Sequence, residues 1–256
     1  MKYLVIGPAS MGIFSLIGAL KRIETNIKDV HEISGCSAGA ILTLFLALNI
    51  PIDDILDICL NLDLSSVINV SISSFLTSYG FVDMTRVKEK IIEVCGCNPT
   101  FNDVEKKIYI SAYCLNTHKT EYFSRDTHPD MNIIDAVCMS MAIPVIFESI
   151  EYNGYNYVDG CTCEEYPLQP FLDKKDYEVT CITVNINKRF KEEIKNPLDF
   201  FESIIFSTFG NKNSYTKNIK IIEINLGDTN IFKFDMDYEE KIRLYILGNN
   251  YTTTHQ

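Results

Sequence analysis

The segment SGCSAGA, Ser34–Ala40, decides the fold expected of this chain. It contains the pattern Gly35-x-Ser37-x-Gly39 between a predicted strand and a predicted apolar helix. A serine on a sharp strand-to-helix turn presents its hydroxyl, and glycines on both sides remove Cβ clashes that such a turn cannot tolerate. The start of the helix also directs free backbone N–H groups, such as that of Ala38, toward a developing oxyanion. Ser37 is therefore a candidate nucleophile, and an inert turn is the alternative interpretation.

Two successive strand-turn-helix units contain this motif. The first has a predicted strand over Lys2–Ile6, a turn over Gly7–Gly12 and a helix over 13–24. The second has a predicted strand over 30–34, the turn itself over 35–40 and a helix over 41–48. Because such units pair their strands in parallel, we expect an α/β fold with a central, mostly parallel sheet flanked by helices.

The rest of the chain continues this mixture of strands and helices, without a linker or repeat, so we interpret residues 1–256 as a single domain. The predicted elements are strands over 106–116 and 119–124, a helix over 131–142 ended by Pro144, a hairpin over 145–160 around Asn153-Gly154, a buried strand over 177–186, and helices over 197–210 and 238–248.

Charge and cysteine usage limit the partners and the compartment. The chain of 256 residues has a formal net charge of −11 and no Lys/Arg cluster, so binding to nucleic acid is disfavoured. Its nine cysteines are an odd number, scattered through apolar segments, which favours a reducing compartment. Gly7-Pro8 interrupts the first apolar stretch, so a buried strand and helix explain it better than a signal peptide or membrane anchor. We therefore expect a cytoplasmic protein.

Two Cys-x-Cys pairs are candidate metal ligands. Cys95 and Cys97 could join Cys161 and Cys163 to offer four thiolates to a zinc ion, but the usual Cys-x₂-Cys spacing is absent. Ordinary buried thiols are the preferred interpretation, so no metal and no cofactor is predicted.

A serine nucleophile needs a base, and histidine is the first candidate. The chain has four: His31, His118, His128 and His255. A triad in the order Ser, acid, His would have to recruit His255, which is next to the C-terminal residue and expected to fray. The alternative base is Asp159, which ends an apolar strand before Gly160, a placement that brings a carboxylate to the edge of a sheet at a tight turn.

Four blocks in order carry a resemblance to a known family: GPASMG after the first strand, SGCSAGA, YCLNTHKTEYFS, and DAVCMSMAIPVIFESIEYNGYNYVDG. Over roughly residues 3–170 the chain resembles the patatin-like phospholipases, which have a modified α/β-hydrolase fold and a Ser–Asp dyad without histidine. The resemblance implies that Ser37 is the nucleophile, that Asp159 polarises it, and that the Gly7–Gly12 loop forms the oxyanion hole. Residues 171–256 carry no resemblance and are expected to complete or cap the domain.

The resemblance implies hydrolysis of phospholipid or lysophospholipid esters without calcium. Because the chain is acidic overall, any contact with a membrane surface would be apolar and transient. Acyl transfer on the same dyad is an alternative, and a lipid-binding or regulatory module with weakened catalysis is another. Nothing in the pattern predicts an oligomeric state.

The glycine-rich loop departs from the family pattern G-G-G-x-R/K-G. The sequence GPASMG lacks two of the glycines and the basic residue. Proline has no N–H, which leaves Ala9, Ser10 and Met11 as candidate donors within the loop. Losing one oxyanion donor costs about 2.7–4 kcal/mol in the barrier.

The segment Asn69–Val82 carries apolar residues among small polar ones. A lid or a surface that inserts into lipid is one interpretation, and a buried loop-helix is the preferred one.

Overall fold

The computed structural model describes residues 1–62, 75, 79–164, 166–186, 193–194, 200, 203 and 217–251. Within these ranges, a central eight-stranded sheet is flanked by helices, and a second sheet has two strands. The strands are β1 Tyr3–Ile6, β2 Glu32–Gly35, β3 Gly80–Val82, β4 Lys107–Cys114, β5 Lys119–Ser124, β6 Val145–Phe147, β7 Ile150–Tyr152, β8 Tyr155–Asp159, β9 Val179–Asn185 and β10 Lys220–Asn225. The α-helices are α1 Ile13–Arg22, α2 Glu24–Ile27, α3 Ala38–Ala47, α4 Ile52–Asn61, α5 Met84–Cys95, α6 Ile133–Met141 and α7 Tyr238–Asn249.

The central sheet has the order β10-β9-β1-β2-β4-β8-β7, and β5 pairs with β4 beside this path. The strands from β10 to β4 are all parallel, whereas β5, β8 and β7 join by antiparallel pairing. Strand β1 is a continuous apolar run with a buried interior, as expected where helices cover both faces of a parallel sheet. The predicted α/β class is confirmed.

Strand β4 brings together two segments that are far apart along the chain. Strand β5 pairs with it all along Tyr109–Cys114 and therefore occupies one edge. The other edge is shared by two strands: β2 ends with Gly35 opposite Ile110, and β8 ends with Asp159 opposite Ala112. The two strands run in opposite directions, so their carboxyl ends meet about 7 Å apart along β4.

Two predicted elements are wrong in detail. Helix α3 begins at Ala38 rather than at residue 41, so the turn before it is shorter than predicted. The hairpin predicted over 145–160 is confined to β7 and β8, because β6 leaves it to pair in parallel with β3. Val145, at the start of β6, has a φ of 73°, which a β-branched residue adopts only under strong structural constraint.

Strands β9 and β10 extend the sheet beyond the recognised motifs, and α7 returns across the molecule to pack on α1. The two helices approach closely at two glycines. A Cβ on Gly18 would lie 2.1 Å from the Tyr245 carbonyl oxygen, and one on Gly248 would lie 1.8 Å from that of Ser15. This contact holds the C-terminal helix against the beginning of the domain.

Two predictions fall on residues outside the described ranges. The helix predicted over 197–210 is described only at Phe200 and Ser203. Asn69–Val82 is described only at Phe75 and from Tyr79 onward, where β3 begins. Among the described residues, no helix is long and apolar enough to cross a membrane.

Candidate active site

Ser37 lies on a sharp turn between β2 and α3. Its backbone has φ 54° and ψ −124°, a strained conformation of the kind that costs about 1–3 kcal/mol and concentrates at active sites. The flanking glycines make the turn possible by their lack of a side chain. A Cβ on Gly35 would lie 2.2 Å from Thr43 Oγ1, and one on Gly39 would lie 2.3 Å from the Ile6 carbonyl oxygen. The motif therefore packs directly against the end of β1.

Asp159 is the last residue of β8 and is fully buried. Two donors orient its carboxylate: the Cys161 backbone N–H donates to Oδ1 at 2.9 Å, and the Cys36 thiol donates to the same oxygen at 3.6 Å. Gly160 begins a 3-10 helix with a close approach to β4, because a Cβ there would lie 2.5 Å from the Ser111 carbonyl oxygen. Close packing, together with the change of direction, explains the glycine after the acid.

The contact between Cys36 and Asp159 joins the two halves of the candidate site. Cys36 directly precedes Ser37, so its thiol in contact with the carboxylate brings the serine backbone beside the acid. The chain separation of the contact is 123 residues. It follows from the β4 edge on which β2 and β8 end.

Ser140 lies at the candidate site, although its sequence context did not indicate a role. Its Oγ accepts a hydrogen bond of 2.9 Å from the Ser37 backbone N–H, and both residues are buried. Ser140 lies on α6, within the DAVCMSMAIP segment that carried the resemblance. Its position in this segment was the one sequence feature that connected it with the site. A serine inside an apolar helix does not by itself indicate which residue it binds.

The loop Gly7–Gly12 follows β1 on the same edge of the sheet as Ser37. Three of its amides already donate to backbone carbonyls: Gly7 to Ile182 at 2.8 Å, Met11 to Ile231 at 3.0 Å and Gly12 to Ala9 at 2.8 Å. In this conformation, Met11 is therefore not the free donor that the sequence predicted, and neither glycine amide is available.

The amides of Ala9 and Ser10 donate to no carbonyl among the described residues. Ser10 has a φ of 46°, and its hydroxyl is buried without a hydrogen-bond partner in the described part of the chain. The Ala38 N–H, at the first position of α3, has no acceptor within its own helix. These three residues remain as candidate oxyanion donors.

A cavity of about 130 Å³ opens beside Ser37. Ser10, Ser37 and Ala38 lie in its wall together with apolar side chains from α1, α3, α4, α5 and the segment after α6. The apolar lining includes Phe14, Ile41, Phe45, Ile58, Val87, Ile91, Val94, Met141, Ile143, Phe147 and Phe234. Such a wall suits a hydrocarbon chain with its polar end at the serine.

The alternative sites have little support in the geometry. Within the described residues, no histidine lines the cavity beside Ser37, and His255 lies outside them. The His128 ring packs against the Phe123 ring at a tilt of 53°, with 4.8 Å between centroids. The four cysteines of the two Cys-x-Cys pairs are free thiols, and no described group of three or more His, Cys, Asp or Glu residues is arranged to hold a metal ion.

The family model for patatin-like phospholipase matches residues 4–172. The chain belongs to the patatin-like phospholipase family. This family member is 29% identical over 258 residues to Uncharacterized protein R571 of Acanthamoeba polyphaga mimivirus. The alignment covers 92% of this chain and 86% of the mimivirus protein. It is 24% identical over 179 residues to Probable lipid hydrolase 463L of Invertebrate iridescent virus 6, covering 65% of this chain and 62% of that one.

Among solved structures, this patatin-like phospholipase family member is similar to VipD from Legionella pneumophila, with a TM-score of 0.68 and 17% identity. The alignment covers 98% of this chain, which spans 65% of the VipD chain. At that identity the likeness shows the fold, and it extends beyond the residues of the family model into β9, β10 and α7.

Proposed function

We propose that the chain is a lipid acyl hydrolase of the phospholipase A or lysophospholipase type, with Ser37 as nucleophile and Asp159 as base. The observation that carries the proposal is the 3.6 Å contact of Asp159 with Cys36, the residue directly before the strained serine. Nucleophilic acyl transfer requires a nucleophile and a base that reach one another, and a serine on a sharp turn next to a buried carboxylate offers these two groups.

The proposed reaction uses a nucleophile, a proton carrier and a set of backbone amides. Ser37 Oγ attacks the ester carbonyl carbon while Asp159 accepts its proton, and the amides of Ala9, Ser10 and Ala38 stabilise the oxyanion. The tetrahedral intermediate expels the alcohol, which takes the proton from Asp159. Water then attacks the acyl-enzyme, again with Asp159 as base, and Ser37 regains its proton as the fatty acid leaves.

The positive ends of two helices support the oxyanion in this scheme. Helix α3 begins at the residue after Ser37, and the 3-10 helix Ser10–Gly12 runs directly into α1. Both follow adjacent parallel strands, because Ile6 of β1 is opposite Gly35 of β2. Their N-terminal N–H groups therefore point toward the same edge of the sheet.

The lipid substrate follows from the cavity and from family membership. The wall beside Ser37 is almost entirely apolar, so it favours a fatty acyl chain over a peptide or sugar. The proposal agrees with the name of the iridescent virus relative, Probable lipid hydrolase 463L.

Covalent labelling tests the nucleophile directly. We expect a fluorophosphonate probe to label the wild-type protein and not Ser37→Ala, because the probe reacts only with an activated serine. Ser34→Ala is the matched control: Ser34 is a buried serine of β2, three residues away, which does not line the cavity. Equal labelling of wild type and Ser37→Ala would contradict the assignment.

Hydrolysis of a phospholipid in detergent micelles tests the base. We expect Asp159→Asn to abolish turnover, since an amide cannot accept the serine proton, and we expect wild-type turnover to persist in excess EDTA. Full activity of Asp159→Asn, combined with its loss in His128→Gln, would overturn the dyad in favour of a histidine base.

The engaged amides of the loop favour a second candidate, a lipid-binding module with weak turnover. The amides of Gly7, Met11 and Gly12 cannot donate to an oxyanion while they donate to backbone carbonyls. This candidate predicts binding of phospholipid without labelling by the fluorophosphonate probe.

A further inference from the structure

Lys241 and Lys90 are the two charged side chains among the described residues that line the cavity beside Ser37. No Asp or Glu of the described chain lines it. The whole chain has 34 Asp and Glu against 23 Lys and Arg, so a cavity wall with cations and no acids runs against the overall composition. The wall therefore attracts an anion even though the protein as a whole repels one.

The two lysines differ in their partners. Lys90 is paired with the Glu93 carboxylate at 2.8 Å, so its charge is already compensated. The described contacts of the Lys241 ammonium are a long hydrogen bond of 3.4 Å to the Leu60 carbonyl oxygen and the Phe14 ring, whose centroid is 5.7 Å away. An ammonium has three donors, and no carboxylate among the described residues binds this one.

The surroundings of Lys241 strengthen its attraction for an anion. It lies in the first turn of α7, beside the Phe14 ring, and reaches the Leu60 carbonyl oxygen at the C-terminal end of α4. The nearby Cys59 is so well buried that its pKa rises to about 12, an effect that Lys241 partly opposes. A cation against apolar walls is less screened by water and salt than one on an open surface.

We propose that Lys241 binds the phosphate group of a glycerophospholipid whose acyl chain fills the cavity beside Ser37. The inference rests on the proposed function, because it names the headgroup chemistry of the same substrate. The product carboxylate forms at Ser37 Oγ, among the amides of the loop, so the separate position of Lys241 suits the headgroup.

The test compares two lipids that share their acyl chains, phosphatidylglycerol and diacylglycerol, each in neutral detergent micelles. We expect Lys241→Gln to lower the ratio of kcat/KM for phosphatidylglycerol to kcat/KM for diacylglycerol about tenfold. This is the effect that the loss of one charge-assisted hydrogen bond predicts. Lys241→Arg retains most of the ratio because it keeps the charge. Arg243→Gln is the matched control: it removes the same charge from an exposed position two residues along α7.

A capping role for Lys241 at the end of α4 predicts a different pattern. It would lower the melting temperature of Lys241→Gln and affect both lipids equally, leaving the ratio unchanged. An unchanged ratio, or an equal loss in Arg243→Gln, overturns the proposal.

Binding to Ser37→Ala separates this proposal from the hydrolase. If wild-type protein hydrolyses neither lipid, the proposed function fails, and binding of the same micelles to Ser37→Ala with and without Lys241→Gln still decides the headgroup site.

Excess inorganic phosphate distinguishes the two phosphate sources. We expect it to displace phosphatidylglycerol only weakly, since it has no acyl chain; displacement as effective as that by the lipid itself would show a free-phosphate site instead.

Discussion

Gly39→Ala tests whether the contact between α3 and β1 holds the proposed nucleophile, Ser37, in place. A Cβ at this position would lie 2.3 Å from the Ile6 carbonyl oxygen and 2.7 Å from that of Gly7. Both oxygens belong to the backbone, so no side-chain rotation relieves the clash. Because ordinary contact requires about 3.5 Å, the start of α3 has to move by about 1 Å from the loop that follows β1.

This displacement separates Ser37 and Ala38 from the backbone amides of Ala9 and Ser10, the proposed oxyanion donors. A misplacement of about 1 Å costs about 100-fold in rate, so we expect kcat on a p-nitrophenyl acyl ester to fall by that factor. The effect on stability is smaller. Overpacking costs about 1–3 kcal/mol and alanine gains about 1 kcal/mol over glycine in a helix, leaving a net loss of about 2 kcal/mol at most. For a chain of this size, the melting temperature then falls by at most about 8 °C.

Gly154→Ala is the control for a general loss of stability. Gly154 lies at the tip of the β7–β8 hairpin with a φ of 81°, and a Cβ there meets no atom within 4 Å. Alanine at this φ costs about 1–2 kcal/mol without touching the site. The assay is the initial rate, with melting followed by circular dichroism. The reasoning is refuted if folded Gly39→Ala keeps its rate within a few-fold of wild type, or if Gly154→Ala loses as much.

Three further predictions concern residues around the site. Ser140→Ala leaves the buried Ser37 N–H without its acceptor, which costs about 1–3 kcal/mol, so we expect about a tenfold lower kcat in the same ester assay and would abandon the positioning role if kcat were unchanged. Gly248→Ala forces α7 away from the Ser15 carbonyl, so thermal melting should show a loss of about 1–3 kcal/mol, larger than that of the exposed Ile246→Ala. Ile41→Trp fills part of the cavity, so kcat/KM for palmitoyl relative to butyryl esters should fall about tenfold; an unchanged chain-length profile would mean that the chain binds elsewhere.

Local patterns were enough to predict β1 and β2 and their parallel pairing. Apolar runs such as that of β1, followed by small residues and then a helical run, produce strand-turn-helix units by short-range preferences alone. The Asn153-Gly154 turn was also predicted, because Asn-Gly is preferred where both central residues of a hairpin turn need positive φ. Both residues have positive φ in the structure. Helices α4 and α5 and strand β10 were not predicted. For α5 the local signals were present, because Asp83 caps its N-terminus and Gly96 follows its last residue in the left-handed conformation.

The site divides in the same way between local and long-range information. The Gly-x-Ser-x-Gly string determined the turn at Ser37, because a sharp strand-to-helix connection depends on residues within a few positions. Only the tertiary structure decided that β8 ends beside β2 on one edge of β4, which brings Asp159 to Cys36. Register between distant strands is a property of the assembled sheet and leaves no local mark.

The loop shows that tertiary contacts engage amides that the sequence left as candidate oxyanion donors. Any non-proline residue has an N–H, so Met11 qualified as a donor by its sequence, but its amide is used by Ile231, 220 positions along the chain. The sequence also gave no reason to assign Lys241 to the site, since its charge reaches the cavity only when α7 packs beside it. The sequence by itself therefore determined the local turns and the kinds of polar group that the chain carries. The tertiary structure decided the partner of each polar group, because the fold brings distant backbone and side-chain atoms within hydrogen-bonding distance.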